Sequence, residues 1–167
     1  MFSIVSNTDS QFTAVRAIAF EVWPKTYGTI LTATQLEYML DMMYSVAALQ
    51  EQSTLKQHHF VLIYVNDEAV GFASYEHNAN ESGKTKIHKI YILSSQQGKG
   101  TGKALVGYIE QKALVHGDKV LFLNVNKYNA AIQFYRKTGF RITNEEIIDI
   151  GNGYVMDDYV MEKLLAE

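Results

Sequence analysis

Gln97-Gly98-Lys99-Gly100-Thr101-Gly102-Lys103 stands between an apolar strand ending at Leu93 and the amphipathic run Lys103–His116. Glycines permit a tight turn and close approach of the backbone to a ligand. The first N–H groups of the following helix lack intrahelical partners and sit at the positive end of its dipole. A strand, a glycine turn and a helix start therefore predict an anion site, most often for phosphate or pyrophosphate. Spacing removes two common owners. A P-loop requires G-x-x-x-x-G-K-[ST], whereas position 97 is Gln and Ala104 follows Lys103, so no hydroxyl is placed for magnesium. A dinucleotide fingerprint requires G-x-G-x-x-G near the first strand. Here Gly98, Gly100 and Gly102 alternate, position 103 is Lys and the loop lies past mid-chain.

Outward from the loop, Thr85–Leu93 reads as the strand before it, and Leu105, Ile109 and Ala113 share one face of the helix after it. Upstream, His58–Val65 and Ala69–Glu76 are apolar strands around Asn66-Asp67-Glu68, a hairpin signal, and Asn78–Gly83 is a polar loop. Thr34–Met43 and Ser45–Lys56 read as two further helical pieces. Phe2–Asn7 reads as a short strand, and Thr8-x-x-Gln11 resembles a capping box. Phe12, Val15, Ile18, Ala19 and Val22 then trace a helical face, and Pro24 is expected to end that helix near Trp23. Downstream, Val120–Val125 is a strand and Asn129–Lys137 a short helix. Phe140–Ile150 and Tyr154–Leu164 pair around Gly151-Asn152-Gly153. In outline the order is β-α-α-β-β-β-α-β-α-β-β, an α/β fold with a mixed sheet, antiparallel through hairpins and parallel where helices cross over.

At 167 residues, with 47% hydrophobic and 20% charged residues, the chain suits one domain with its own core. A net charge of −3 gives no general electrostatic case for nucleic acid. Zero cysteines exclude disulfides and thiolate chemistry. Met1–Val5 lacks the charged and apolar segments of a signal peptide, and no run approaches the ~18 apolar residues of a membrane span. A cytoplasmic protein without membrane contact is expected.

Gln97-x-x-Gly100-x-Gly102 resembles the Q/R-x-x-G-x-G/A signature of the GNAT N-acetyltransferase family, whose loop cradles the pyrophosphate of acetyl-coenzyme A. A second block runs from Leu121 to Phe140 and contains Leu121-Phe122-Leu123-Asn124-Val125, Asn129-Ala130-Ala131 and Tyr135-Arg136-Lys137-Thr138-Gly139-Phe140. It resembles the family's L-x-V-(x)n-N-x-x-A-(x)n-Y-x-x-x-G-F. Piece by piece it also suits a core strand, a helix cap, a core tyrosine and a helix-ending glycine at C′. Their joint occurrence after the glycine loop carries the resemblance. Asn129 and Tyr135 stand one residue closer than in many members, so Asn126 competes with Asn129 for the cofactor contact. The strands His59–Tyr64, Lys89–Ile92 and Tyr154–Met161 are similar to those of bacterial acetyltransferases that modify polyamines; residues 58–165 carry this likeness. The resemblance implies a single acyl-CoA N-acyltransferase domain over residues 1–167, with a seven-stranded mixed sheet flanked by helices. It also implies acetyl-CoA as co-substrate, and it makes a homodimer an open expectation.

What the resemblance implies for the site follows. The strand Ile90-Tyr91-Ile92 pairs with pantetheine and polarises the thioester carbonyl. Main-chain N–H groups from Gly98 to Lys103, with Gln97, Lys99, Gly100, Thr101 and Gly102, bind the pyrophosphate. Tyr135 is the general acid for the departing thiolate, since an unperturbed pKa of about 10 keeps it protonated at neutral pH. A core tyrosine is the alternative. The base is sought on the strand face shared by Lys86, His88, Ile90 and Ile92. Lys86 stands where some histone acetyltransferases have a catalytic Glu, and His88 resembles in position a histidine of arylalkylamine N-acetyltransferases; it titrates near neutrality. Trp23, Tyr27, Tyr38, Tyr44, Tyr154, Asp157 and Asp158 are acceptor-site candidates, since aromatics with carboxylates suit an amine. Core aromatics and solvated turn acids are the alternative. No metal is expected: His58 and His59 adjoin but point to opposite faces, and His77 and His116 have no partner spacing. The acceptor is expected to be a primary amine of a small molecule, polyamine-like in preference. A protein N-terminus or lysine, a non-catalytic acyl-CoA sensor and a nucleotide-binding module are the other readings.

Overall fold

The computed structural model describes residues 2–6 and 12–165. The elements are β1 (Phe2–Ser6), α1 (Phe12–Tyr27), α2 (Ala33–Tyr44), α3 (Val46–Thr54), β2 (His59–Val65), β3 (Glu68–Glu76), β4 (Thr85–Ile92), α4 (Thr101–His116), β5 (Val120–Asn126), α5 (Ala131–Lys137), β6 (Arg141–Gly151) and β7 (Tyr154–Leu164). The strands form one seven-stranded sheet in the order β1-β2-β3-β4-β5-β7-β6. The β1–β2, β2–β3, β5–β7 and β6–β7 pairs are antiparallel. The β4–β5 pair is parallel and covers Thr85↔Leu121 to Ile87↔Leu123. The expected mixed seven-stranded α/β architecture is the one observed.

Several boundaries differ from the sequence expectations. Pro24 does not end α1, which continues to Tyr27. Pro24 and Phe20 are both exposed, so the carbonyl deprived of the proline N–H lies on the solvent side. The Pro24 carbonyl in turn accepts from Gly28 N–H at 2.9 Å. Among the described residues three helices lie between β1 and β2, matching the three helical pieces expected there where the outline order has two. The break between α2 and α3 is made by Ser45, whose Oγ accepts from Ala48 N–H at 3.1 Å as an N-cap. Thr32 caps α2 in the same way, through Gln35 N–H at 3.1 Å. The β2–β3 turn is Asn66-Asp67, both at positive φ (51° and 65°), and β3 already begins at Glu68. The capping box Thr8-x-x-Gln11, and Asn7 of the first strand, lie outside the described residues.

The chain divides into two compact units, Met1–Glu76 with His88–Ile109, and His77–Ile87 with Glu110–Glu167. In the first, the predicted face of α1 (Phe12, Val15, Ile18, Ala19, Val22) is buried, as are Leu105 and Ile109 of α4. Phe60–Ile63 of β2 are buried without alternation, the pattern of a strand covered on both faces. In the second unit β5 alternates, with Leu121, Leu123 and Val125 buried. Ala113, Ile132, Phe140 and Met161 complete that core.

Candidate functional site

In the first unit, β4 runs through Ile90, Tyr91 and Ile92, all half-buried, into a short turn and then residues 97–100. Gly98 and Gly100 adopt φ of +76° and +82°, while a Cβ added at either would meet nothing within 4 Å. Backbone conformation, not crowding, calls for glycine there. Gly100 ends the turn: its carbonyl accepts from Ala104 N–H at 3.0 Å, and α4 begins at Thr101, two residues earlier than the sequence suggests. Thr101 is buried and its hydroxyl leans on the Gln96 carbonyl at 3.4 Å, whereas Gln97, Lys99 and Lys103 are exposed. The loop thus presents a helix start and two cations to solvent, an arrangement suited to phosphate. Behind β4 stands Gly71 of β3, where a Cβ would lie 2.5 Å from Ile92 Cδ1 and 3.0 Å from the Tyr91 carbonyl. The missing side chain lets the two strands close up there.

His88 Nε2 lies 2.8 Å from Glu76 Oε1. His58 Nε2 approaches the same oxygen at 3.7 Å, and the two imidazoles stack with centroids 3.8 Å apart and an interplanar angle of 16°. His58, which precedes β2 and is not part of the strand, is buried, and His59, the first residue of β2, is exposed. Nothing in the spacing of residues 58, 76 and 88 signals that they meet. The three offer two nitrogens and an oxygen, the kind of set that metals use. In-plane lone pairs of near-parallel rings do not converge, however, so a shared ion would require the stack to open.

Trp23 and Tyr27, both expected at the acceptor, meet Tyr91. Trp23 is 4.7 Å from the Tyr27 ring and 5.8 Å from the Tyr91 ring, and the Tyr27 and Tyr91 hydroxyls are 3.0 Å apart. Trp23 and Tyr44 pack edge-on at 5.7 Å and are both buried. Burial holds the Tyr44 hydroxyl well above the usual tyrosine range. These two are core, while Tyr27 and Tyr91 are half-buried. Lys89, a residue the sequence did not single out, is only 8% exposed. Its ammonium donates to Gln52 Oε1 at 2.6 Å and lies over the rings of Tyr44 (5.6 Å) and Phe60 (5.8 Å). The signal was present: residues 85, 87 and 89 alternate with 86, 88 and 90, and the odd set points inward.

In the second unit, Tyr135 sits on α5, 7% exposed, edge-on to Phe134 (5.4 Å) and Phe140 (5.7 Å). Gly139 beyond it takes φ +102°, the left-handed position expected of it. Asn126 and Asn129 both build the turn before α5: Asn126 Oδ1 accepts from Tyr128 N–H and Asn129 Oδ1 from Ala131 N–H, each at 2.9 Å. Helix α5 consequently starts at Ala131. Tyr154 opens β7. Asp157 pairs with Lys127 at 3.0 Å and holds that ammonium above its ordinary pKa, while Lys127 also reaches Glu145 at 3.5 Å. Asp158 is 1% exposed, and neither of its oxygens has a partner in hydrogen-bonding geometry. Burial pushes its carboxyl up to about 6; Glu146 and Asp157 add to the shift, against Asn124 and Lys86.

His77 and His116 do have a partner, contrary to their sequence spacing. Their rings stack at 4.3 Å and 8°, beside the buried Asp118. Strand β4 and the loop before it bring this about: Asp118 Oδ2 accepts from Asn78 N–H (2.8 Å) and the Thr85 hydroxyl (2.7 Å). His77 Nδ1 bonds Thr85 Oγ1 at 3.0 Å, and His116 Nδ1 is 3.5 Å from Asp118 Oδ1. Burial works to raise the Asp118 carboxyl, but the Asn78 and Thr85 hydrogen bonds and the nearby His116 together hold it below its ordinary value.

Residues 29–163 match the family model described as an acetyltransferase (GNAT) domain. An uncharacterized N-acetyltransferase of Mycobacterium tuberculosis (strain ATCC 25618 / H37Rv) is 25% identical over 151 residues, covering 90% of this chain and 95% of the relative. Another from Lactobacillus delbrueckii subsp. lactis is 23% identical over 169 residues, covering 98% and 97%. The fold is shared with the PaiA N-acetyltransferase of Thermoplasma acidophilum in complex with coenzyme A. That match has a TM-score of 0.82 at 21% identity and covers 98% of this chain and 99% of that one. It is shared also with the ribosomal-protein-S18-alanine N-acetyltransferase of Escherichia coli, with a TM-score of 0.73 at 16% identity and coverage of 100% and 96%.

Proposed function

This chain belongs to the GNAT acetyltransferase family, and from that premise we propose that it moves the acetyl group of acetyl-CoA directly to a primary amine of a small molecule, polyamine-like in preference. The observation that carries the donor half is the exposed loop in which Gly98 and Gly100 turn at positive φ into the start of α4. In this reading the N–H groups from Gly98 to Lys103 hold the pyrophosphate, with Gln97, Lys99 and Lys103 around it, and the backbone of Ile90–Ile92 pairs with pantetheine. Asn126 or Asn129 adds a contact. His88 takes one proton from the ammonium, the freed nitrogen lone pair attacks the thioester carbon, and the adduct nitrogen sheds a second proton to solvent as the carbon–sulfur bond breaks. Tyr135 returns a proton to the thiolate. Tyr27, Tyr154 and Asp157 belong to acceptor recognition, with the buried Trp23 packed behind the Tyr27 ring. Residues 1–167 act as one acetyltransferase domain in the cytoplasm; no helix among the described residues is long and apolar enough to cross a membrane.

Release of free CoA thiol, measured against polyamines, arylalkylamines, amino acids, aminoglycosides and peptides, tests the reading. Polyamines should support the highest kcat/KM. Release with peptides alone would move the assignment to a protein N-terminus or lysine. CoA binding without release for any amine, together with tolerance of Tyr135→Phe, would make the protein an acyl-CoA sensor. In the proposed mechanism Tyr135→Phe lowers turnover by about 100-fold or more with CoA affinity retained.

A further inference from the structure

We infer that Glu76 is the positioning residue for His88: it fixes which imidazole nitrogen carries the lone pair, and the stacked ring of His58 limits the two neutral histidines to one added proton between them. This rests on the reading of His88 as the base. Glu76 Oε1 is 2.8 Å from His88 Nε2. An ionised carboxylate only accepts, so this contact puts the hydrogen of a neutral His88 on Nε2 and the lone pair on Nδ1. Nδ1 is then the atom that takes the acceptor's proton. The resulting imidazolium faces a carboxylate, which stabilises its charge. His58 works the other way. Its Nε2 is 3.7 Å from the same oxygen and its ring lies 3.8 Å from that of His88, so a second positive charge would be stacked directly on the first. Among the described residues, Glu76, from the end of β3, and His58, from the segment before β2, are titratable groups that lie against His88. On β4 itself, Lys89 turns to Gln52, and Lys86 lies over the Phe122 ring at 5.8 Å.

Side-chain NMR titration of His88 and His58 in the CoA-free protein, paired with the pH profile of kcat/KM, tests this. In the wild type, His88 should titrate from the Nε2–H tautomer, and the two rings together should gain one proton between about pH 8 and pH 5. Glu76→Gln should mix the His88 tautomers, lower its pKa by about one unit, and move the acid limb of kcat/KM to lower pH by the same amount. Glu76→Asp should recover part of the shift. His58→Phe, which keeps a stacked ring, should raise the His88 pKa. An unchanged His88 tautomer and pKa in Glu76→Gln overturns the inference whatever the activity, as does independent protonation of both rings in the wild type. A moved His88 titration with an unmoved acid limb supports the Glu76 coupling and removes His88 as the base. Absence of acetyl transfer in the wild type strikes the proposed function alone, because the NMR titration reads His88 without turnover.

Discussion

The His58–His88 and His77–His116 pairs are made of the same parts, two near-parallel imidazoles beside one carboxylate, yet the carboxylates are differently engaged. Asp118 is 4% exposed and receives a backbone N–H and the Thr85 hydroxyl, so its charge is met before either histidine is counted. Glu76 stands at the end of a strand with a half-buried side chain, and its short contact is to His88 itself. The first arrangement ties a loop to a strand. The second leaves the protonation of an imidazole under the control of its partner. What decides between structure and chemistry is therefore not which residues meet but which groups already satisfy the acid.

The sharpest way to break this contrast is to remove one histidine from each pair. His88→Gln should lower kcat/KM by about 100-fold or more, as expected for loss of a general base, while His116→Gln should stay within about twofold. Equal losses in thiol-release kinetics would erase the distinction. Next in size, Asp118→Asn should cost about 2–3 kcal/mol in urea unfolding at pH 7, because hydrogen bonds to a charged group are lost. Its pH dependence has a definite sign. The folded pKa of Asp118 is lowered, so its contribution is present above the unfolded value of about 3.9 and disappears as pH falls through the folded value. The wild type and Asp118→Asn should converge in acid. Asp158, a buried acid with no such donors, should behave oppositely. Its raised pKa contributes stability below about 3.9 that is lost as pH rises through about 6. Relative to Asp158→Asn, the wild type should lose about 1–2 kcal/mol between pH 4 and pH 7.5 in thermal or urea denaturation. The smallest effect is that of His116→Phe, within about 0.5 kcal/mol, since that side chain is 46% exposed and its ion pair is long.

Local chemistry was the legible part. The glycine loop, the Asn66-Asp67 and Gly151-Asn152-Gly153 turns, the inward faces of α1 and α4 and the left-handed Gly139 all follow from constraints within a few residues. Pro24 misled because proline's cost depends on whether the carbonyl it deprives is buried, and that is set by the exposed face of α1. The stacked histidines were invisible for a different reason. Residues 58, 76 and 88 come from separate segments joined by sheet register, and register is fixed by the whole hydrophobic pattern instead of by any spacing between the three. Lys89 lies on the face of β4 opposite Lys86 and His88, and the inward alternation there buries it against Tyr44 and Phe60.

The strand order carries a last consequence, for the birth of the protein on the ribosome. Among the described residues β7 follows both β5 and β6 in the chain, yet it lies between them, pairing with β5 from Val120↔Leu164 to Asn126↔Asp158 and with β6 along most of its length. A nascent chain that has not reached Tyr154 holds β5 and β6 with nothing to join them, each presenting an unpaired edge. β5 also carries Leu121, Leu123 and Val125 on its buried face. This half of the sheet cannot assemble progressively as it emerges; it closes in one late step, and until then the chain is open to pairing with its neighbours on the same message.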